Sequence, residues 1–463
     1  MVMSLAVLLL SAVPLMMLLL IIWYVSFIDV TINGMDRFRI RKHHGVIAFF
    51  HPYCNAGGGG ERVLWCAINA MQKNYGKKYQ YVVYTGDVNV TPQEILQKAK
   101  NCFDIDVINT NLQFIYLRTR PWLEPSNYPY FTLFFQSLAG FLVGVEALLR
   151  YNPHVLIDTM GYPFTLPLFR LVESAEFSHN NAQWIAKSRF FTYCKLIYYR
   201  IFAILYSLSG ICSELVMVNG TWTRDHIVAL WGVDDRTYLI YPPCNVDNLL
   251  RINSRAENLL KEEKRVQILS IGQIRPEKDH RLQICFFAEL KKRLLKENLD
   301  YKFRLVICGG CRSMEDVQRA KDLQLYAEDM NIHSDELEWA LNASVDKVTS
   351  LLEESLIGIH TMQNEHFGIS VVEGIAAGQI MVAHNSGGPK LDILNASAVG
   401  SKIPLGLLAA NFTDSVLEII RMTPEQRNSI RNAARRSVDR FSETNFERRW
   451  NSAIKKLLPA QDL

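Results

Sequence analysis

Short apolar segments alternate with helix-like segments in two series along the chain, and this alternation restricts the possible folds more than any other feature. The first series has four apolar strands, at 46–50, 81–85, 154–158 and 215–219. The second series has four more, at 266–272, 303–307, 357–360 and 381–384. Strands that alternate with helices form a parallel sheet covered by helices. The sequence therefore predicts an α/β protein with two doubly wound, Rossmann-like domains and a hinge near 242–265.

The composition agrees with this prediction. Of the 463 residues, 49% are hydrophobic and 21% are charged, which suits a chain that builds large cores and excludes a mainly disordered or collagen-like protein. The formal net charge of +4 is too small to indicate nucleic acid as a partner.

A long apolar run lies near the amino terminus. Leu5 to Ile28 contains no charged residue and is long enough to cross a bilayer as a helix. A cleaved signal peptide is the alternative, but the residues before the run include no basic side chain. The basic residues between Arg37 and Lys42 then predict that the rest of the chain lies on the cytoplasmic side. Nine scattered cysteines also fit a reducing compartment.

Two internal stretches, 125–145 and 190–212, are unusually apolar and aromatic. Buried helices are one interpretation. Attachment to a membrane surface is the other, and it is favoured because aromatic side chains beside Lys and Arg are typical of interfacial segments. The sequence predicts one spanning anchor with further peripheral contacts.

A glycine-rich loop follows the first apolar strand and precedes a helix. Its four successive glycines are Gly57, Gly58, Gly59 and Gly60. Glycines permit a close backbone approach, and the N–H groups of a helix start can bind a phosphate or a sugar pyrophosphate. The segment is neither a dinucleotide fingerprint nor a Walker loop, and a flexible turn is the alternative interpretation.

A second loop, Gly272 to His280, follows the strand at 266–272. Ligands of doubly wound domains bind at the carboxyl ends of the strands. Arg275 and Lys278 are therefore expected to bind a diphosphate that leaves with two negative charges. Loop cations that are merely solvated are the alternative.

The most informative motif contains two glutamates, Glu365 and Glu373, separated by seven residues. A helix-like segment begins between them near Gly368, and its first N–H groups can bind a phosphate. Glu373 can accept hydrogen bonds from two ribose hydroxyls, and Glu365 is expected to reach the transferred sugar. A further turn, His384 to Pro389, is expected to close the same pocket.

Together these motifs resemble those of the GT-B retaining glycosyltransferases of family 4, which include sucrose synthases and bacterial mannosyltransferases. Within that family they resemble the α-1,2-mannosyltransferases of the dolichol-linked oligosaccharide pathway. The matching segments are 51–65, 241–244, 272–280, 360–368 and 383–392. The resemblance covers nearly the whole chain, including the apolar amino terminus.

The resemblance implies a GT-B fold whose two Rossmann-like domains face a cleft, preceded by a transmembrane helix. It implies GDP-mannose as donor, and Man3GlcNAc2 and then Man4GlcNAc2 on diphosphodolichol as acceptors, at the cytosolic face of the endoplasmic reticulum membrane. The lipid bilayer and other mannosyltransferases of the pathway are the implied partners, and neither a metal nor a cofactor is expected. The implied catalytic residues are Glu365, Lys278 and Arg275. The implied donor-binding residues are Glu373, His366, Phe367, Gly368, Ile369 and Gly272.

The predicted domain limits follow the same scheme. The ranges are 1–32 for the anchor, 45–245 for the acceptor domain, 246–423 for the nucleotide-sugar domain and 424–463 for helices packing back on the first domain.

Two segments depart from the family pattern. Gln273 stands where the family has an arginine, and 172–182 lacks the family's His-Tyr-Pro segment. Two alternatives therefore stay open: a catalytically inactive membrane-anchored scaffold, and a transferase for another lipid acceptor such as a phosphatidylinositol.

Two further patterns have simpler interpretations. Cys308 and Cys311 have CxxC spacing but no nearby second pair, so no zinc site is expected. Arg427, Arg431 and Arg435 recur every four residues near the carboxyl terminus, and they are expected to form a solvated helix face.

Overall fold

The computed structural model describes residues 43–128, 132–160, 213–311 and 313–458, with single positions between 199 and 210. The described residues up to 210 form one compact unit, and those from 213 onward form a second. The predicted anchor at Leu5 to Ile28, most of 190–212, and the segment 172–182 lie outside the described residues.

The first unit is built on a parallel sheet of four strands in the order β3-β2-β1-β4. The strands are β1 (His43–Phe50), β2 (Gln80–Thr85), β3 (Leu112–Tyr116) and β4 (Pro153–Asp158). Its helices are α1 (Gly59–Tyr75), α2 (Pro92–Phe103) and α3 (Thr132–Arg150). Phe50 lies beside Tyr84 on one side and Asp158 on the other, so the residues that follow these three strands meet at one edge of the sheet.

The second unit contains a parallel sheet of six strands in the order β12-β11-β10-β7-β8-β9, and a separate parallel pair, β5 and β6. The pair is β5 (Val216–Val218) and β6 (Thr237–Leu239). The six strands are β7 (Arg265–Ile271), β8 (Lys302–Gly309), β9 (Leu337–Leu341), β10 (Ser355–His360), β11 (Ile380–His384) and β12 (Leu407–Ala409).

Helices cover the large sheet and connect its strands. Those before β9 are α4 (Thr221–Trp231), α5 (Val246–Leu250), α6 (Ala256–Glu263), α7 (His280–Lys296) and α8 (Met314–Asp329). The later ones are α9 (Val345–Glu354), α10 (Ile369–Ala377), α11 (Phe412–Arg421), α12 (Pro424–Ser437) and α13 (Glu443–Ile454).

The eight predicted strands and the doubly wound α/β organisation are confirmed. They were recognisable because strands buried on both faces read as continuous apolar runs, and every residue of β10 is buried. The strands β3, β6, β9 and β12 were not predicted. Each lies at an edge of its sheet and has an apolar run of three residues or fewer, which is a weak signal, although β4 was recognised despite sharing these features.

The described residues group differently from the predicted domains. β5 and β6 belong to the second compact unit, although the predicted limit is at 245. In that unit α12 packs against α10 and β11. The limits at 245 and 423 stay predictions.

The expectation that the arginines of α12 form a solvated face is wrong. Arg427 and Arg431 are 4% and 9% exposed, and both donate hydrogen bonds to Glu257 of α6. Arg427 uses two nitrogens, with Nε 2.8 Å from Oε1 and Nη2 2.9 Å from Oε2. The three side chains join α6 to α12, a contact that helical spacing alone cannot reveal.

The apolar stretch 125–145 includes most of α3. None of the helices in the described parts of the chain has the length and apolarity needed to cross a bilayer. One face of α3 nevertheless exposes apolar side chains at seven-residue spacing: Phe135, Leu142 and Leu149 are 38%, 39% and 66% exposed.

Candidate functional site

The loop after β7 brings a lysine over the end of the sheet. Gly272 follows β7, and the aliphatic part of Lys278 packs over it, 3.5 Å from where a Cβ would lie. Gly309, at the end of β8, approaches the carbonyl of Gly272 so closely that a Cβ there would lie 1.9 Å from that oxygen. Gly309 therefore lets the ends of neighbouring strands come together beneath Lys278.

Hydrogen bonds from the residue that follows β10 and from α7 hold the Lys278 loop in place. Thr361, which follows β10, donates to the Lys278 carbonyl at 2.7 Å. The Gln283 side chain of α7 donates in turn to Thr361 Oγ1 at 2.8 Å. Thr361 and Gln283 are both buried, so they fix the Lys278 backbone from below.

Lys278 and Glu365 form a close ion pair. Lys278 Nζ lies 2.5 Å from Glu365 Oε2, and their side chains are only 23% and 15% exposed. His360 Nε2, at the end of β10, lies 3.2 Å from the same carboxylate oxygen. The sequence prediction that Lys278 and Glu365 share one site is consistent with this geometry.

Glu365 is a carboxylate rather than a carboxylic acid at neutral pH. Burial by itself raises the pKa of Glu365, but His360 and Lys278 outweigh burial and hold that pKa far below its ordinary value. The group is therefore an acceptor of hydrogen bonds and a source of negative charge.

The loop that carries Glu365 is fixed by the turn after β11. Gly388 N donates to the Glu365 carbonyl at 2.7 Å, and Asn364 N donates to Ser386 Oγ at 2.7 Å. A Cβ on Gly387 would lie 2.3 Å from the Glu365 carbonyl oxygen, so this close approach requires glycine. The predicted turn at 384–389 does lie against the Glu365 loop.

The predicted helix start between the two glutamates is confirmed. Gly368 has φ of 103°, in the left-handed region that favours glycine, and α10 begins at Ile369. Glu373 is the fifth residue of α10 and is half-buried. Gly374 must be small, because a Cβ there would lie 2.3 Å from Met381 Sδ on β11.

The side chains of His366 and Phe367 pack against protein. The His366 ring stacks on Trp222 of α4 at 4.9 Å between ring centroids. Phe367 is 3% exposed and packs on Tyr241 and Phe441. A donor-binding role for Phe367 would therefore have to use its backbone.

Arg275 is placed differently from Lys278. It is exposed at the start of the short 3-10 turn Pro276–Lys278, and it has no ion-pair partner among the described residues. Of the two predicted cations, only Lys278 is brought to Glu365.

The glycine-rich loop lies in the first unit, where it leads from β1 into α1. Gly57 has φ of 80°, and Gly58 precedes the first residue of α1. The Glu61 carboxylate accepts a hydrogen bond from Gly58 N, and Glu61 also contacts the buried His51.

Sequence reasoning assigned no role to His51, Glu61, His360 or Thr361. For three of these residues the sequence does contain a signal of a functional position, since His51, His360 and Thr361 stand at strand ends. Among the described residues no group of three metal-ligating side chains could hold a metal ion, Cys308 and Cys311 included.

Two families match successive parts of the chain. Residues 44–231 match the family described as ALG11 mannosyltransferase N-terminus. Residues 252–437 match the family described as glycosyl transferases group 1, which spans both glutamates and the Lys278 loop.

Curated relatives match over most of their length. The GDP-Man:Man(3)GlcNAc(2)-PP-Dol alpha-1,2-mannosyltransferase of Caenorhabditis elegans is 43% identical over 439 residues, covering 90% of this chain and 92% of that protein. The human protein of the same name is 44% identical over 438 residues, covering 90% and 88%. That of Dictyostelium discoideum is 41% identical, covering 89% and 85%.

Solved structures show the fold. Sucrose-phosphate synthase from Thermosynechococcus elongatus superposes with a TM-score of 0.59 at 15% identity, over 89% of this chain and 99% of that one. WaaG, a glycosyltransferase involved in lipopolysaccharide biosynthesis, gives a TM-score of 0.55 at 14% identity, over 88% and 99%. The fold is thus that of GT-B glycosyltransferases. With relatives above 40% identity along nearly the whole chain, the protein belongs to the family of GDP-mannose:Man3GlcNAc2-diphosphodolichol α-1,2-mannosyltransferases.

Proposed function

We propose that this enzyme transfers mannose from GDP-mannose, in α-1,2 linkage and with retention of configuration, to Man3GlcNAc2 and then Man4GlcNAc2 on diphosphodolichol. The observation that carries the proposal is the Lys278–Glu365 pair at the carboxyl edge of a parallel sheet, directly before the start of α10. The names of the relatives support the choice of donor and acceptor.

Departure of GDP develops negative charge on the diphosphate, and cations near it lower the barrier. Lys278 is the primary cation in this proposal because the Gly272 loop and Thr361 fix its position. Arg275, exposed and without an ion-pair partner among the described residues, is the second. The positive start of α10, at Gly368 and Ile369, adds a further favourable field.

The two glutamates have separate roles. Glu373, half-buried on α10, accepts hydrogen bonds from the ribose hydroxyls of GDP. Glu365 accepts hydrogen bonds from the mannose and keeps it oriented while the glycosidic bond breaks. Because the pKa of Glu365 is held low, it is not the acid that protonates the leaving group at neutral pH.

The remaining predicted donor-binding residues have more limited roles than the sequence implied. Gly272 lies beneath the aliphatic part of Lys278, at a distance that a side chain would also permit. His366 and Phe367 support the loop through their packing on Trp222 and Tyr241. Neither a metal nor a cofactor is called for in this scheme, because Lys278, Arg275 and the helix start provide the positive charge.

The glycine-rich loop, Gly57 to Gly60, is assigned to the donor phosphate or to the acceptor. Its glycines allow a substrate to come close to the backbone. The N–H of Gly58 is already bonded to Glu61, so the contact would use other backbone groups of the loop.

We also propose that the protein acts at the endoplasmic reticulum membrane, anchored by Leu5 to Ile28 with its catalytic units on the cytosolic side. A lipid-linked acceptor requires access to the bilayer, and the exposed apolar face of α3 is suited to contact it. Other mannosyltransferases of the same pathway are the protein partners expected there.

The test is transfer by the full chain in a membrane. The protein is incubated with GDP-mannose and a diphospholipid carrying Man3GlcNAc2, and products are analysed by mass and by digestion with an α-1,2-mannosidase. Addition of one and then two mannosidase-sensitive hexoses is expected.

Parallel incubations separate the alternatives. Transfer to phosphatidylinositol instead of the diphospholipid would favour another acceptor. GDP-mannose binding without transfer to either lipid would favour an inactive scaffold.

A further inference from the structure

A line of buried polar contacts connects two strand ends of the first unit to the glycine-rich loop. His51, directly after β1, is fully buried. Its Nδ1 lies 2.7 Å from the hydroxyl of Thr159, directly after β4, and its Nε2 lies 3.3 Å from Glu61 Oε1. The other oxygen of Glu61 accepts the hydrogen bond from Gly58 N.

The direction of these bonds follows from Glu61. Burial raises the pKa of Glu61, but its bonds with His51 and Gly58 outweigh burial, and the pKa lies below its ordinary value. Glu61 is therefore ionised and accepts from both partners. Nε2 of His51 therefore donates to Glu61, and the Thr159 hydroxyl lies within hydrogen-bond distance of both His51 Nδ1 and the Phe50 carbonyl oxygen.

Gly58 is held through both of its backbone polar groups: its N–H donates to Glu61, and its carbonyl accepts from Arg62 N at 3.2 Å. Earlier in the loop, Asn55 is fixed by Lys98 Nζ, 2.6 Å from its carbonyl, and by Asp87, 3.1 Å from its N–H. A Cβ on Gly58 would lie 2.8 Å from Glu61 Oε2, the flexible end of a side chain that can shift, so glycine is not required for this hydrogen bond. Gly59 and Gly60 already belong to α1, and Glu61 links the start of that helix to the preceding glycines, whose backbone has high intrinsic conformational freedom.

We propose that His51 is a positioning residue for the transfer reaction. It orients Glu61, and Glu61 fixes Gly58 and with it the backbone of 57–60 that approaches the substrate. His51 itself is fully buried and touches no substrate. The inference rests on the proposed function, because the loop is taken to contact donor or acceptor. Binding groups commonly depend on neighbouring side chains that fix their orientation.

The test uses two variants that each keep one half of the His51 contacts. The amide of His51→Asn stands near Nδ1 and can bond Thr159 but not reach Glu61. The longer side chain of His51→Gln can reach Glu61 but leaves Thr159. Gln72→Ala is the control: Gln72 is buried on the distal part of α1 and bonds Ile108 and Asn111, so its loss weakens the same unit away from the loop.

Hydrogen exchange of the peptide spanning 57–61 is measured on the full chain, together with kcat and KM for GDP-mannose and for the Man3GlcNAc2 diphospholipid. His51→Asn should raise exchange of this peptide at least tenfold, and should lower kcat/KM for the substrate that meets the loop at least tenfold. His51→Gln should restore most of both. Gln72→Ala should lower the melting temperature without raising exchange at 57–61.

Wild-type exchange at 57–61 in His51→Asn would overturn the inference, as would equal effects of the Asn and Gln variants. A wild-type chain that transfers no mannose, but whose loop loosens in His51→Asn alone, would refute the proposed function and leave the positioning of the loop intact. If His51→Asn does not fold, Glu61→Met, which has a similar side-chain volume but no oxygen to accept from Gly58 N, must show the same loosening or the inference fails.

Discussion

The ammonium of Lys278 donates a 2.5 Å hydrogen bond to the carboxylate of Glu365, a residue 87 positions later in the chain. In the proposed donor site, the diphosphate therefore competes with Glu365 for Lys278. Because the two side chains lie within one hydrogen bond of each other, the proposed sites for the diphosphate and for the mannose are adjacent.

Lys278→Ala should remove most mannosyl transfer, because the charge that develops on the diphosphate loses its nearest fixed cation. It should also destabilise the protein by about 2 kcal/mol, since it leaves the buried Glu365 carboxylate with fewer partners. Activity assays and denaturant unfolding measure the two effects. The double variant Lys278→Ala/Glu365→Gln is the control and should regain stability without regaining activity. An unchanged unfolding free energy in Lys278→Ala would contradict the ion pair.

The pH dependence of stability should report Glu365. Its pKa is lower in the folded protein than its unfolded value near 4.5, so its contribution to stability is fully present well above pH 4.5 and is lost as the pH falls below that value. The stabilisation of wild type relative to Glu365→Gln should shrink as the pH falls from 6 towards 3. Denaturant titrations at each pH test this, and a difference that grows on acidification is incompatible with it.

Glu373→Ala should weaken GDP binding by roughly tenfold or more, which corresponds to the loss of hydrogen bonds to a charged group. Isothermal calorimetry with GDP measures the affinity. Glu328→Ala, on the exposed face of α8, is the matched control and should bind as wild type does. If Glu373→Ala binds GDP normally while folded, the interpretation of the two glutamates is wrong.

Glu257→Ala should destabilise the second unit by about 2–4 kcal/mol, because it leaves the buried guanidinium groups of Arg427 and Arg431 without their carboxylate. Thermal unfolding of the variant is compared with that of Glu262→Ala, an exposed neighbour on α6 that should have little effect. GDP affinity at low temperature should be normal in both. Similar melting temperatures for the two variants would show that this contact contributes little.

Removal of residues 1–32 should release the protein from membranes only in part, because α3 still exposes Phe135, Leu142 and Leu149. Flotation with liposomes measures the bound fraction. Leu142→Ser/Leu149→Ser in the truncated chain should lower that fraction further. A truncated protein that stays fully in the aqueous fraction would mean that α3 does not contact lipid.

Much of the architecture was predictable because it depends on local sequence. Strands such as β7 and β10 are continuous apolar runs, and Gly368 marks the start of α10 through its backbone freedom. The roles of the site residues stay predictions, although the geometry brings Lys278 and Glu365 together as the spacing and family resemblance indicated. The edge strands β3, β6, β9 and β12 escaped prediction because their apolar runs are short, although β4, also at an edge, was recognised.

The sequence by itself determined two parallel-sheet units, the loops that follow their strands, and the residue types those loops contain. Tertiary structure decided the partners. Arg427 and Arg431 of α12 are buried because α6 presents Glu257 to them, and His51 meets Thr159, 108 residues later, only because β1 and β4 pair. Local patterns specify which face of an element is apolar. Contacts between distant residues depend on how the strands are ordered in the sheet, which no local pattern contains.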